Sequence, residues 1–331
     1  MAQPMEVNVN STHRVEVVPV ELMPHPNADS LSVVKVFDGY TVCVRTADWQ
    51  GRDRGAYVPP DSVVPGGGPF AFLGDSPQRI RVKRLRGVVS MGLLVPAPEG
   101  AQVGDDVAAA LGVTHYDPPQ PLSTGGEAAP APRVYAPCYD VESLRRYASA
   151  FVPGEPVFAT EKIHGANGRF LYTEDGGFHC GSRTEWKRES AENVWWRALH
   201  GTPGLGVFLS RNPGVVVYGE VYGQVQDLKY GTAKGEVRFA AFDLLVGGEW
   251  VAPIRAREWS GPFGLPWVPT IASGEPFDLA TALKWAEGPS LVPGADHVRE
   301  GCVVKPMNER CDLAVGRVCL KVVGNGYMER A

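Results

Sequence analysis

Residues 117–133 divide the chain. They read Asp-Pro-Pro-Gln-Pro-Leu-Ser-Thr-Gly-Gly-Glu-Ala-Ala-Pro-Ala-Pro-Arg, a stretch dominated by proline, glycine and alanine in which no hydrophobic period survives. The sequence therefore predicts one domain over 1–116, a linker over 117–133 and a second domain over 134–331. A length of 331 residues agrees with two domains. The apolar fraction of 44% and charged fraction of 21% are those of a soluble globular protein. No run of 18 apolar residues occurs, which gives no candidate for a membrane span. Met1–Arg14 lacks the apolar core of a secretory signal.

Six scattered cysteines, with no Cys-x-x-Cys pair, fit reduced thiols in a cytoplasmic protein. Cys302, Cys311 and Cys319 do not match common zinc-finger spacings. A net charge of -5 argues against nonspecific coating of nucleic acid, though not against a local basic stripe. Arg79–Arg86 is such a stripe. In a strand, Arg79, Arg81 and Lys83 would share one face, with Ile80 and Val82 pointing inward. Phosphate contact and an ordinary solvated strand edge both account for it.

The first domain reads as short strands at Val15–Leu22, Ser32–Phe37, Thr41–Arg45, Gly55–Val58, Arg79–Arg86 and Ser90–Val95. Asp38-Gly39 is a hairpin turn. So many short strands suggest a small barrel. Pro24–Leu31 and Gly87–Leu94 resemble two stretches of the OB-fold tRNA-binding modules found on some synthetases. The second domain reads as α+β. Its strands are expected at Val157–Glu161, Arg169–Thr173, Gly177–Gly181, Val215–Val221, Glu236–Leu245, Gly301–Lys305 and Arg317–Val323, with helices at Ser190–His200 and Asp278–Glu287. Trp195 and Trp196 anchor the first helix to the core.

Five strings in one order carry the chemistry: Glu161-Lys162-Ile163-His164-Gly165-Ala166-Asn167, Ser182-Arg183, Tyr218–Gly223, Phe239–Asp243 and Glu300–Lys305, closed by Leu320-Lys321. With 39 glycines, about one Lys-x-x-Gly is due by chance. Lys162 and Lys321 each begin one, and the other strings all lie downstream of Lys162. A lysine attacks a phosphate only as the neutral amine, so such a site must favour deprotonation; neighbouring cations or a metal do so. Lys305 and Lys321 lie on late strands able to converge on Lys162.

As an ordered set these strings resemble the covalent nucleotidyltransferases, and most closely RNA ligases of the RNA ligase 2 type, which carry Lys-x-His-Gly-x-Asn. The resemblance covers most of 135–327. It implies an antiparallel-sheet nucleotidyltransferase domain behind an OB-like β-barrel. It also implies ATP and Mg²⁺ or Mn²⁺ as cofactors, and a monomer acting on RNA or on an RNA-containing duplex with a nick. The catalytic set would be Lys162, His164, Glu300 and Lys321. Glu161, Asn167, Arg183, Glu220, Phe242 and Lys305 would join Lys162 and Lys321 in binding the nucleotide, with Glu300 and Glu220 near the metal. In that likeness Glu220 accepts from the ribose, Phe242 stacks on adenine, and Lys321 contacts the α-phosphate. The order of domains resembles a bacterial nick-sealing subgroup.

One departure stands out. The last motif of these ligases usually has a second lysine where this chain has Val323, leaving Lys305 or Arg317 as candidates for the missing charge, or a site that works with less. Two other readings remain at this point. A capping-type guanylyltransferase would label with GTP. A non-catalytic RNA-binding protein would bind through the barrel and release no pyrophosphate.

Overall fold

The computed structural model describes residues 13–116 and 125–330. The first 12 residues of the polar N-terminal stretch, and 117–124 of the expected linker, lie outside them. The described residues form two compact units that divide at Pro118/Pro119.

The first unit is built from short antiparallel strands. Glu16–Pro19, Arg54–Val58 and Leu93–Pro96 form one three-stranded sheet, and Met23–Pro24, Leu31–Val36 and Tyr40–Arg45 another. Val17, Ala56, Val58, Val64, Phe70 and Val95 fill one core, and Val34, Val42, Trp49 and Tyr57 a second. The strand expected over Arg79–Arg86 is broken in two. Gln78–Arg79 pairs with Ser62–Val64, and Lys83–Leu85 forms a hairpin with Val88–Ser90. The second piece ends at the Arg86-Gly87 turn, where φ is 46° and 90°, values a continuing strand does not adopt. The alternation survives the break: Ile80 and Val82 are buried while Arg81 and Lys83 are exposed. Arg79 is neutralised by Asp61 at 2.6 Å and lies 4.0 Å from the Tyr116 ring centroid.

The second unit holds two sheets. The five-stranded sheet runs Glu142–Ser143, Leu320–Val323, Gly301–Pro306, Pro156–Lys162, Thr270–Pro276. Side chains alternate along a strand and directly paired residues share a face. Lys162 pairs with Gly301, Val303 with both Thr160 and Lys321, and Phe158 with Lys305. Thr160, Lys162, Val303, Lys305 and Lys321 therefore share one face. The opposite face supplies Val157, Ala159, Cys302, Val304, Leu320 and Val322 to a core closed by the Leu279–Trp285 helix. Gly301 sits where this sheet is tightest: a Cβ there would lie 1.9 Å from the Val322 carbonyl oxygen. Gly301→Ala should lower stability by about 2 kcal/mol or more, read as a shift in the urea midpoint.

The six-stranded sheet runs Trp186–Lys187, Phe178–Gly181, Ala166–Tyr172, Val216–Gly223, Val237–Val246, Glu249–Trp250. Its register slips once. Tyr218 pairs with Asp243 but Gly219 with Ala241, so Phe242 is an extra residue in the Val237–Val246 strand. Such a bulge turns two successive side chains to the same side: Phe242 and Asp243 both face the side that carries Glu220 and Asn167. Behind this sheet lie the Val194–Gly201 helix, capped by Asn193, and the Pro203–Arg211 helix. Trp195 and Trp196 are buried there, donating their indole N–H groups to the carbonyls of Asn167 and Lys187. Part of the expected linker belongs to this unit: Ala129 and Arg188 exchange backbone bonds with Trp186 and Glu127.

Candidate active site

A cavity of about 360 Å³ opens among the Lys162 strand, its partners and the Glu220 and Phe242 strands. Of the residues singled out from sequence, Glu161, Lys162, Asn167, Arg183, Glu220, Phe242, Lys305 and Lys321 all line it. His164 and Glu300 are not among its wall residues but stand directly behind Lys162.

The Lys162 ammonium donates to Glu300 Oε1 at 2.6 Å. Burial pulls the pKa of Lys162 down, but Glu300 and Glu220 outweigh it and leave it raised. The protein's own side chains therefore hold the proton on the amine. Two carboxylates surround the amine, and one of the two cations expected to converge on it is already neutralised. Lys305 is that cation: its Nζ lies 2.7 Å from Asp243 Oδ1 and donates to the Phe242 carbonyl. Lys321 differs. Among the described residues no side-chain hydrogen bond or ion pair is found for it, and burial followed by repulsion from Lys162 lowers its pKa.

Burial alone would raise the Glu300 carboxyl, but Lys162 beside it, with His164, holds it at about 2. Burial drives Glu220 the other way, to about 8, because Lys162 compensates it only in part and Glu300 repels its charge. Two carboxylates thus share one lysine, and their environments separate them. Glu300 Oε2 and Asn167 Oδ1 are both buried without a hydrogen-bond partner.

Glu161 is largely engaged elsewhere. Its carboxylate accepts from Ser290 Oγ and from the Leu291 N–H, both at 2.6 Å, and so fixes the loop that follows the Leu279–Trp285 helix. Arg183 sits at the rim, half exposed and paired with Asp140. Arg317 is held on both edges by Asp243 and Glu309. Of the two cations considered for the charge missing at Val323, only Lys305 lines the cavity.

Several contributors escaped the sequence reading. Tyr139 donates to Asp243 and packs 4.6 Å from Phe242. Asp243 gathers Tyr139, Lys305 and Arg317; burial would raise its pKa, and Arg317 and Lys305 bring it to about 2. Asp227 and Tyr327 hold His164. Asp243 stood inside a recognised string, and Asp227 inside 223–231, a stretch that resembles the segment after the Glu220 string in RNA ligases, but Tyr139 and Tyr327 had no spacing that could single them out.

Two mostly antiparallel sheets around a cavity of lysines, carboxylates and one aromatic wall have the architecture of a nucleotidyltransferase domain. The RNA ligase family model matches residues 155–323, and an OB-fold domain model matches 13–97. The chain belongs to the RNA ligase family, its catalytic unit preceded by an OB-fold domain as the strand pattern suggested. Among solved structures it is similar to a Naegleria gruberi RNA ligase variant with ATP and Mn, at 25% identity over 96% of this chain and 98% of that one, TM-score 0.80. The same ligase with PPi aligns at 25% identity over 97% and 99%, TM-score 0.82. A variant with AMP and Mn aligns at 25% over 96% and 99%, TM-score 0.80. No curated protein sequence gives a significant match.

Proposed function

We propose that this protein joins RNA ends through a lysyl-AMP intermediate formed from ATP. The observation that carries the reading is the placement of Lys162 and Lys321 on one face of one sheet, opposite Glu220 and Phe242, around a single cavity. Lys162 Nζ, after losing its proton, attacks the α-phosphorus of ATP and the bond to pyrophosphate breaks. The AMP passes to a 5′-phosphate, and a 3′-OH then attacks that phosphate and releases AMP. Phe242 forms the flat wall suited to the base. Glu220 is the acceptor for the ribose. Lys321, which has no carboxylate partner among the described residues, suits the α-phosphate, with Lys305 in the same cavity. Asn167 and Arg183 complete the wall. These residues act by position and charge.

A divalent cation fits this donor set. Glu300 presents an unpartnered buried oxygen behind Lys162, Glu220 lines the cavity, and carboxylate oxygens suit hard cations. Among the described residues no cluster of three or more His, Cys, Asp or Glu side chains occurs that could hold a metal. The protein would thus supply one or two ligands, leaving phosphates and water to supply the others, the pattern of Mg²⁺ sites. When bound, the cation neutralises phosphate charge.

We assign as substrate a nick in a duplex whose 3′-OH strand is RNA, sealed by a monomer in the cytoplasm. The six cysteines, all free thiols, suit a reducing compartment. No helix among the described residues is long and apolar enough to cross a membrane.

Incubation with Mg²⁺ and α-labelled ATP or GTP, followed by denaturing electrophoresis, tests the reading. A band with ATP alone is expected. A band with GTP alone would favour capping chemistry, and no band with either would favour a binding protein. The OB-fold domain is tested by deleting 1–118, a cut that spares the contacts of residues 127–129. Self-adenylylation should persist while nick sealing falls roughly ten-fold or more, about 1.4 kcal/mol of lost substrate contact. Equal sealing by the shortened protein would remove the domain from substrate binding.

A further inference from the structure

The residues after Lys321 contribute to the site. Gly324 leads into a short helix, Asn325–Met328, whose first N–H groups are capped by Glu287: Asn325 N–H donates to Oε1 at 2.7 Å and Gly326 N–H to Oε2 at 3.2 Å. Arg145, a buried residue, reaches Asn325 Oδ1 at 3.2 Å. Anchored so, the helix directs Tyr327 at His164. The Tyr327 hydroxyl lies 3.2 Å from His164 Nδ1.

His164 is held on three other sides. Its Nε2 lies 2.7 Å from Asp227 Oδ1, its backbone N–H donates to the Tyr230 hydroxyl at 2.6 Å, and Glu300 Oε2 stands 3.6 Å from Nδ1. Asp227 is itself paired with Arg330 at 2.6 Å. The carboxylate of Asp227 can only accept, so Nε2 carries a proton. In the neutral ring Nδ1 is then the acceptor and the Tyr327 hydroxyl donates to it. That contact fixes the rotation of the imidazole. Glu300 Oε2, 3.6 Å from Nδ1, has no hydrogen-bond partner among the described residues.

We propose that Tyr327 is a positioning residue for adenylyl transfer, setting the orientation of His164 behind the Lys162–Glu300 pair, with the Asp227–Arg330 pair as the opposing brace. The inference rests on the reading of His164 as part of the catalytic machinery. Tyr327 carries more of the effect than Arg330. Its hydroxyl contact is partly buried, whereas Arg330 and Asp227 are 39% and 65% exposed, and exposed pairs contribute little.

The test is a double-mutant cycle on single-turnover self-adenylylation of the full chain, using Tyr327→Phe, His164→Ala and the combination. Tyr327→Phe keeps the ring and removes only the hydroxyl. It should slow lysyl-AMP formation roughly ten-fold at saturating ATP with little change in the ATP concentration giving half-maximal rate, a loss of about 1.4 kcal/mol in the barrier. In the His164→Ala background the same change should have no further effect, because residues acting as a unit are not additive. Equal fractional losses in both backgrounds would overturn the proposal, as would an unchanged rate in Tyr327→Phe. A His164→Ala enzyme with full activity would instead overturn the role given to His164. Unfolding midpoints measured in parallel separate these outcomes from misfolding: Tyr327→Phe should leave the midpoint unchanged, and a midpoint shift that accounts for the lost rate would overturn the proposal.

Discussion

Lys162→Ala should abolish labelling by α-labelled ATP, a loss of at least about a thousand-fold of the kind seen when a nucleophile is removed. Neither of the other two lysines that line the cavity stands where Lys162 does. Lys305 is neutralised by Asp243, and Lys321 lies two residue pairs away across the sheet. Residual covalent label in the variant would place the nucleophile elsewhere. The environment of Lys162 adds a pH signature. Glu300 and Glu220 raise its pKa above the usual 10.5, so the amine is a minor species near neutrality. In the wild type the rate of lysyl-AMP formation should therefore climb with pH through the neutral range. The slope should approach one logarithmic unit per pH unit until ATP binding or another group limits it. A flat profile would mean that the substrate complex has already removed the proton.

Asp243→Asn should damage stability and activity together. Asp243 is 1% exposed and compensates both Lys305 and Arg317. Removing its charge leaves two buried cations with one fewer partner, a loss of about 3–5 kcal/mol. In a protein of this size that is a fall of roughly 10 °C in Tm. Lys305, no longer tethered, should also misplace its charge, so adenylylation should drop even below the new midpoint. The pH dependence has a fixed sign. Asp243 is held at about 2, below its ordinary 3.8. Its contribution is therefore complete above the unfolded-state value and disappears as pH falls from near 4 toward 2. The wild type should lose its margin over Asp243→Asn across that window. Urea midpoints of the two proteins at several pH values check this, and a constant gap would refute it.

The strands that bear the chemistry could be read because their signal is local. Lysines and carboxylates such as Lys162, Glu220 and Lys321 are conspicuous inside otherwise apolar strands, and the fold brings them to one cavity. The Leu279–Trp285 and Val194–Gly201 helices were legible from their apolar spacing, with a glycine or alanine-glutamate-glycine run as the stop. The Pro203–Arg211 helix was not, since Gly204 and Gly206 weaken the pattern, and packing against Phe263 and Trp259 restores it. The Thr270–Pro276 strand was hidden by Gly274, which takes φ 81°, and by Pro276. The tether on Lys305 was hidden for a different reason. Lys305 counts as a free cation in the sequence, and only the fold brings Asp243 against it. Tyr327 was invisible because its meaning lies in a meeting with His164 across 163 residues of chain.

The slip at Phe242 has a wider consequence. Deleting that one residue would give the Val237–Val246 strand an unbroken ladder with Tyr218 and Gly219, a more regular sheet by every local rule. It would also merge two separate duties, the flat wall and the anchor of the cations, into one position able to serve only one of them. Selection for thermal tolerance alone therefore has a route that ends in a sturdier, inactive protein. Screens that evolve this ligase for robustness need a catalytic readout at every round.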